Sequence, residues 1–367
     1  MRIVFNSFNN SSPATIFYKS GIGRLENVFI DDFNNYSQYD YAIFMGFNED
    51  LTELIKAKHQ NDNILCGVID PRGDNISRFY KYLDFIVVDS IEMSDFFSKY
   101  QVPIFRYYEY MLADWQLKKH AKKNKIIIGY HGNKIHLMSM FPNITQALDM
   151  LSLEYSVEFH AIYNIKQLGE WRLGLPENII VKHIQLDDNY IDYIDKFDIG
   201  IVPATLPFFK KKSILKSSIF FRHLLNYHSD DYLFRFKLTT NSGRIILFAL
   251  RGIPVVSDMF PSAIELLQHG KNGYLAASSS GWYNALRDLT SPDKRNKVSV
   301  NLKENLFNIV DYDIQNKKFC IFLDELSINP NKSIINFNER KYPIVRVGYE
   351  SMLMLVTSLF KNKKNDN

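Results

Sequence analysis

Cysteine is nearly absent from this chain. Cys66 and Cys320 are the only two in 367 residues. They stand far apart and belong to no partner motif, which excludes a disulfide framework and a zinc site built on paired thiolates. A strong charge of one sign is also lacking: 44 Lys and Arg against 40 Asp and Glu leave a net +4. That is too mild to mark a nucleic-acid binder, and no nucleic acid is expected as partner. The 28 Phe and 22 Tyr are spread through a sequence rich in Asn, Lys and Ile. They read as biased codon usage rather than as stacking platforms, because no basic-aromatic module stands out. No apolar run reaches the roughly 18 residues that span a bilayer, and the longest helical candidate, Ser351 to Phe360, is short and amphipathic. The opening MRIVFNS passes straight into a strand pattern without a signal-peptide core. Nor does a carboxylate pair at ligand spacing stand near residues 236–276, so no metal is expected there. These absences predict a soluble, cytoplasmic chain in a reducing compartment.

What is present is length enough for two domains of ordinary size, each with its own core. In 1–117, apolar runs at Arg2–Phe5, Tyr41–Met45, Ile64–Ile69, Phe85–Val88 and Ile104–Tyr107 read as strands. Helical patterns at Leu51–Gln60 and Ile91–Lys99 separate the later ones, the second introduced by Asp89-Ser90 as a cap. This alternation predicts a parallel α/β sheet with crossover helices. Residues 9–23, with Gly21 and Gly23, follow the first strand and are placed to line a cleft, although Gly-Xaa-Gly alone is a weak signal. Asp70-Pro71-Arg72 follows the third predicted strand, where open α/β sheets bind ligands. Asp70 there is either a general base on an acceptor hydroxyl or the first residue of an Asp-Pro turn. Arg72 correspondingly either holds an acceptor's phosphate or carboxylate, or is the ion-pair partner of Asp70.

Residues 116–125, QLKKHAKKNK, carry five lysines and almost nothing apolar. They read as a solvated linker, with the domain boundary at 118–125. A second α/β domain is expected over 126–340. Its first strand, Ile126-Ile127-Ile128, runs into Gly129-Tyr130-His131-Gly132-Asn133-Lys134. A helix at Met140–Leu151 and strands at Val157–Ile162 and Ile179–His183 follow, and then Phe197-Asp198-Ile199-Gly200-Ile201-Val202-Pro203.

The chain is organised around residues 236–276. Here a polar loop ending at Ser242 precedes the apolar run Ile245–Leu250, whose every face is expected to be buried. Arg251 suits the negative end of that helix, and Gly252 supplies a left-handed stop. Pro254-Val255-Val256 opens a buried strand. The helix start at Ser242, Gly243 and Arg244 offers bare N–H groups and a partial positive charge to an anion, and Lys237 and Arg244 add full charges. The stretch reads as a phosphate site.

The same stretch resembles the carboxyl-terminal, donor-binding domain of GT-B glycosyltransferases, in particular those of family 4. The matching residues are Arg244, Gly252-Ile253-Pro254-Val255-Val256, Glu265 and Lys271-Asn272-Gly273-Tyr274-Leu275. The run Asp198-Ile199-Gly200-Ile201-Val202-Pro203 resembles the family's buried strand before the donor loop. The resemblance covers the second half well and the first half by architecture only. It implies two Rossmann-like domains facing a cleft, with a terminal helix in 341–367 crossing back to the first. It also implies transfer of a sugar from a nucleotide-sugar to a glycan or lipid-linked acceptor, as in surface polysaccharide synthesis. The nucleotide-sugar is then a substrate, and no cofactor is implied.

In such enzymes the first loop of the second domain lies against the donor diphosphate. Gly132 would allow close backbone approach, and His131, Asn133 and Lys134 would donate to phosphate or sugar oxygens; the alternative is a turn whose glycines serve geometry alone. Glu265 would bind ribose hydroxyls, or else close a capping box with Ser262. Many retaining members carry two glutamates at places that here hold Thr239 and Leu247, so the sugar contacts do not carry over and the route, retaining or inverting, stays open. A catalytically silent partner subunit and a nucleotide-sugar epimerase of the same architecture are the competing readings. Residues 206–234 interrupt the pattern with Lys210, Lys211, Lys212, Lys216 and Arg222 among apolar residues. They read as an amphipathic helix packed on its own domain, or as a lid or a contact with an anionic membrane, which would hold the chain peripherally at the inner membrane face.

Overall fold

The computed structural model describes residues 1–71, 73–109, 114–187, 189–204, 242–326 and 333–334. Arg72, Lys237, the 206–234 segment and the terminal helix expected in 341–367 lie outside the described residues, as do Thr239 and the loop up to Asn241.

Two six-stranded sheets, parallel throughout, carry the chain. The first contains β1 (Ile3–Asn6), β2 (Val28–Ile30), β3 (Tyr41–Met45), β4 (Leu65–Ile69), β5 (Phe85–Val88) and β6 (Ile104–Arg106), in the order β2-β1-β3-β4-β5-β6. The second contains β7 (Ile126–Gly132), β8 (Val157–Tyr163), β9 (Ile180–Gln185), β10 (Ile199–Val202), β11 (Val255–Asp258) and β12 (Tyr274–Ala276), in the order β12-β11-β10-β7-β8-β9. Counted within its own half, this second order is 3-2-1-4-5-6, the doubly wound arrangement of dinucleotide-binding domains. The fold class expected from the alternating pattern is the one observed.

The inner strands are apolar because helices cover both faces of a parallel sheet. Every residue of β1, β4, β5, β10 and β11 is buried. The helix Gly243–Leu250 is buried along its whole length, and its Leu and Ile side chains each contribute about 1.5–3 kcal/mol by leaving water. It closes as expected, on Gly252 at φ 64°. There an added Cβ would also lie 2.4 Å from the Lys118 nitrogen.

Most of residues 9–23 is the helix Pro13–Ile22, in which an added Cβ on Gly21 would lie 2.6 Å from the Tyr107 hydroxyl. A helix that the sequence reading does not anticipate spans Tyr312–Asp324. Phe319 and Leu323 on that helix join the core of the first sheet, and the Tyr41 hydroxyl donates to the Leu323 carbonyl at 2.8 Å. The lysine-rich stretch is not freely solvated. His120 is 3% exposed and hydrogen-bonds Gly252 O, while Lys118 Nζ donates to the carbonyls of Asp195 and Phe197 at 2.5 and 2.6 Å. Burial holds the Lys118 ammonium down at about 8, and the His120 imidazole at about 4. Finally, Ser90 alone caps the helix Ile91–Phe97, through Met93 N, and Asp89 is engaged elsewhere. No helix among the described residues is long and apolar enough to cross a membrane.

Candidate functional site

The strand order of the second sheet reverses between β7 and β10, and the crevice beyond their carboxyl ends is where such sheets take ligands. Arg244 reaches this crevice from the first turn of the helix Gly243–Leu250. Its guanidinium donates to the carbonyl of Pro203, just past β10, at 3.0 Å. The other terminal nitrogen lies 3.4 Å from His136 Nδ1, a contact that makes that ring nitrogen the acceptor. The guanidinium carbon sits 5.8 Å from the centroid of the Tyr130 ring, near enough for a cation–π attraction. Arg244 is only 9% exposed, and among the described residues it has no carboxylate partner. Burial pulls the guanidinium's affinity for its proton down, with Tyr130 and Asp258 opposing. A desolvated cation with donors to spare is costly unless an anion comes to it.

The opposite wall is the end of β7. Gly132 has φ 132°, a conformation open to glycine and strained for other residues. A Cβ there would lie 2.9 Å from the Tyr130 hydroxyl and 3.5 Å from Arg244 Cδ. The Tyr130 hydroxyl donates to Asn133 O at 2.7 Å and so fixes the turn. On the β10 side, Asp258 at the end of β11 accepts from Ala204 N at 2.7 Å and from Trp282 Nε1 at 3.2 Å, which holds the backbone beside Pro203.

The remaining expected residues fall into three groups. His131 is buried rather than open to a ligand: it packs edge-on to Phe248 at 5.1 Å, and burial next to Arg244 holds its imidazole neutral, down at about 3. Asn133 is exposed, and Lys134 Nζ donates to Leu168 O. Ser242 and Glu265 are tied to side chains of the first half. Ser242 does not cap its helix; its N–H and its hydroxyl both donate to Asp89 Oδ1 at 3.1 Å. The first anion at this helix start is therefore a carboxylate of the chain itself. Asp89 also accepts from Glu109 N at 2.5 Å, and its full burial raises it to about 6. The capping box does not form either. Ser262 lies inside the helix Pro261–Leu266, whose first carboxylate partner is Glu92, bonded to both the Ser262 N–H and hydroxyl. Glu265 pairs with Arg106. Gly243 begins the buried helix next to Ser242.

Asp70 stands apart, on the first sheet, directly after β4. It is 7% exposed and has φ 50°, a left-handed backbone that costs a non-glycine residue of order 1 kcal/mol or more. Gly46 makes this turn feasible, since a Cβ there would lie 2.3 Å from Pro71 Cα.

Tyr130, His136, Asp89, Glu92 and Arg106 were not singled out as site residues from the sequence. Of these, His136 was within reach, two residues past Lys134 in the glycine turn. The partners in the first half lie 153 to 170 positions from the residues they hold, and no local spacing reveals such pairs.

No protein-family model matches the sequence, and no curated protein does. Solved structures do. Anabaena HepE, solved in complex with UDP, is 13% identical with a TM-score of 0.59, over 89% of this chain and 100% of that one. A Staphylococcus aureus TarM variant, solved with fondaparinux, α-GlcNAc-glycerol and UDP, is 12% identical with a TM-score of 0.52, over 77% of this chain and 55% of that one. The sucrose-phosphate synthase of Thermosynechococcus elongatus is 10% identical with a TM-score of 0.50, over 78% of this chain and 73% of that one. At these identities the likeness is one of architecture: the chain has the GT-B fold.

Proposed function

We propose that the protein is a glycosyltransferase that takes a nucleoside-diphosphate sugar and passes the sugar to a glycan or lipid-linked acceptor. The observation that carries this reading is Arg244, a buried guanidinium without a carboxylate partner among the described residues, at the switch point of a 3-2-1-4-5-6 sheet and facing the Gly132 turn. HepE and TarM have been solved with UDP, and HepE also with UDP-glucose, which supports uridine as the nucleoside and a hexose as the sugar. Departure of the sugar leaves extra negative charge on the diphosphate. Arg244 binds that charge more tightly than the intact donor, which is the condition for accelerating the reaction. In this reading the cation does the work without a metal, and Lys237 adds to it. The domain division stays as read above, 1–117 for the acceptor and 126–340 for the donor. Surface polysaccharide synthesis, at the cytoplasmic face of a membrane touched by 206–234, is the setting we infer.

Asp70, held in a strained turn at a strand end, is the base we assign to an inverting route. Asp70→Asn should lower turnover roughly 10²–10⁴-fold while UDP binding is kept. Turnover near that of the wild type would return Asp70 to a turn residue.

A silent partner subunit remains the second reading, favoured by the engagement of Glu265 with Arg106 and of Ser242 with Asp89. Incubating the protein with a panel of UDP-sugars and following UDP release separates the two. Release with any donor, stimulated by acceptor, is expected; a protein that binds UDP but never releases it from a UDP-sugar is the silent subunit.

A further inference from the structure

The first sheet has its own switch point, between β1 and β3, and a shallow groove open to solvent at its carboxyl end is lined by Phe8, Asn48, Glu49 and Thr52. Phe8 follows β1 and Asn48 follows β3, so the two walls come from the two strands that diverge there. We infer that this groove binds a pyranose ring of the acceptor, stacked on Phe8. The inference rests on the glycosyltransferase reading for the word acceptor, and on local geometry for the sugar.

Phe8 is half exposed, which is costly for a phenyl ring, yet it is not loose. One face stacks on Phe33, with ring centroids 4.5 Å apart and planes 15° from parallel. Its backbone is fastened from below: Phe8 N donates to Asp50 Oδ1 at 2.7 Å, and the Ser7 hydroxyl to Asp50 Oδ2 at 2.9 Å. Asp50 is 1% exposed, so a buried carboxylate holds the ring's attachment point in place. The result is a preorganised aromatic platform, which loses little conformational freedom when something settles on it.

The rim decides what settles. Asn48 Oδ1 accepts from Asn75 Nδ2 at 3.1 Å, which turns the Asn48 amide and leaves its N–H groups uncommitted among the described residues. The Glu49 carboxylate is exposed and has no partner there either. An amide donor and a carboxylate acceptor beside a phenyl face match a sugar ring, which offers apolar C–H groups on its face and hydroxyls around its edge. A purely apolar ligand, such as a lipid tail, would leave both groups unpaired.

The test is saturation-transfer NMR on the full chain without donor, using methyl α-glucopyranoside, methyl β-galactopyranoside, N-acetylglucosamine and maltotriose as probes. At least one should give signals with the wild type. Those signals should weaken about tenfold in Phe8→Ala, return in Phe8→Tyr, and persist in Arg244→Ala, with circular dichroism verifying each fold. Equal signals from wild type and Phe8→Ala, or none from any probe with the wild type, would overturn the inference. UDP binding measured in parallel keeps the readings apart. Loss of the sugar signal with UDP binding intact removes this platform alone, whereas failure to bind UDP with the sugar signal intact removes the donor site alone.

Discussion

Arg244 and Arg295 are both buried beside the second sheet, and among the described residues neither meets a carboxylate. Their surroundings differ in whether a free donor can meet a ligand: the Arg295 Nε, unpaired among the described residues, is sealed from solvent. Arg295 is 1% exposed and donates to three carbonyls, those of Leu289, Thr290 and Ala121, at 2.7 to 3.1 Å. It ties the lysine-rich linker at Ala121 to the Leu289-Thr290 turn and faces nothing outside the fold. Arg244 is 9% exposed, has one carbonyl and one long contact to an imidazole, and keeps accessible donors at the mouth of a crevice. A buried cation without an acid is therefore not in itself a ligand site. Unspent donors at a switch point make it one.

The comparison predicts opposite consequences for the two residues. Arg295→Met should cost about 3–5 kcal/mol of stability in urea unfolding, because three buried carbonyls lose a charged donor, while UDP affinity stays unchanged. A variant as stable as the wild type would end the assignment of Arg295 as the structural member of the pair.

The next largest effect concerns Asp89, the chain's own anion at the Ser242 helix start. Its carboxyl is raised to about 6 in the fold and lies near its ordinary value when unfolded. Between those values the folded chain holds a proton that the unfolded chain has released, so this group's contribution grows as pH falls from about 6 toward 4, by at most about 1.4 kcal/mol per unit. His120 and His131, buried neutral, act in the opposite sense and lose their contribution as pH falls below about 6.5. The stability of wild type minus Asp89→Asn should therefore rise on acidification from pH 7 to pH 5. A constant difference would place the Asp89 proton elsewhere.

The smallest effect is local. Gly132→Ala should cost about 1–2 kcal/mol through its left-handed backbone. The same change presses on Tyr130, so it should also weaken UDP binding. Loss of stability without loss of affinity would detach the turn from the Arg244 site.

Much of the fold was legible because fully buried strands announce themselves as apolar runs: β1, β3, β4 and β5 lie where Val, Ile and Phe cluster. β2 was missed because Val28–Ile30 is a short edge strand, largely exposed, with no alternation to read. The helix Tyr312–Asp324 was missed for a related reason. It buries Tyr312, Gln315, Asn316, Phe319 and Leu323, a mixed set in which two amides serve hydrogen bonds to the first half. In the site, Gly132 and Arg244 could be read from turn and helix-start chemistry, which are local. The occupants of Ser242, Ser262 and Glu265 could not, since Asp89, Glu92 and Arg106 come from the other sheet and nothing in either local pattern points across.

The account stands on Arg244 being the cation of the donor diphosphate. Calorimetric titration of UDP into the wild type and Arg244→Ala tests it most directly. A charged hydrogen bond to phosphate is worth about 1.5–3 kcal/mol, so affinity should fall on the order of 10–100-fold. The variant should remain folded, because alanine is the best helix former and Arg244 occupies the first turn, where a cation opposes the dipole. Equal affinities in the two proteins, or an unfolded variant, would contradict the account and make Arg244 a second Arg295.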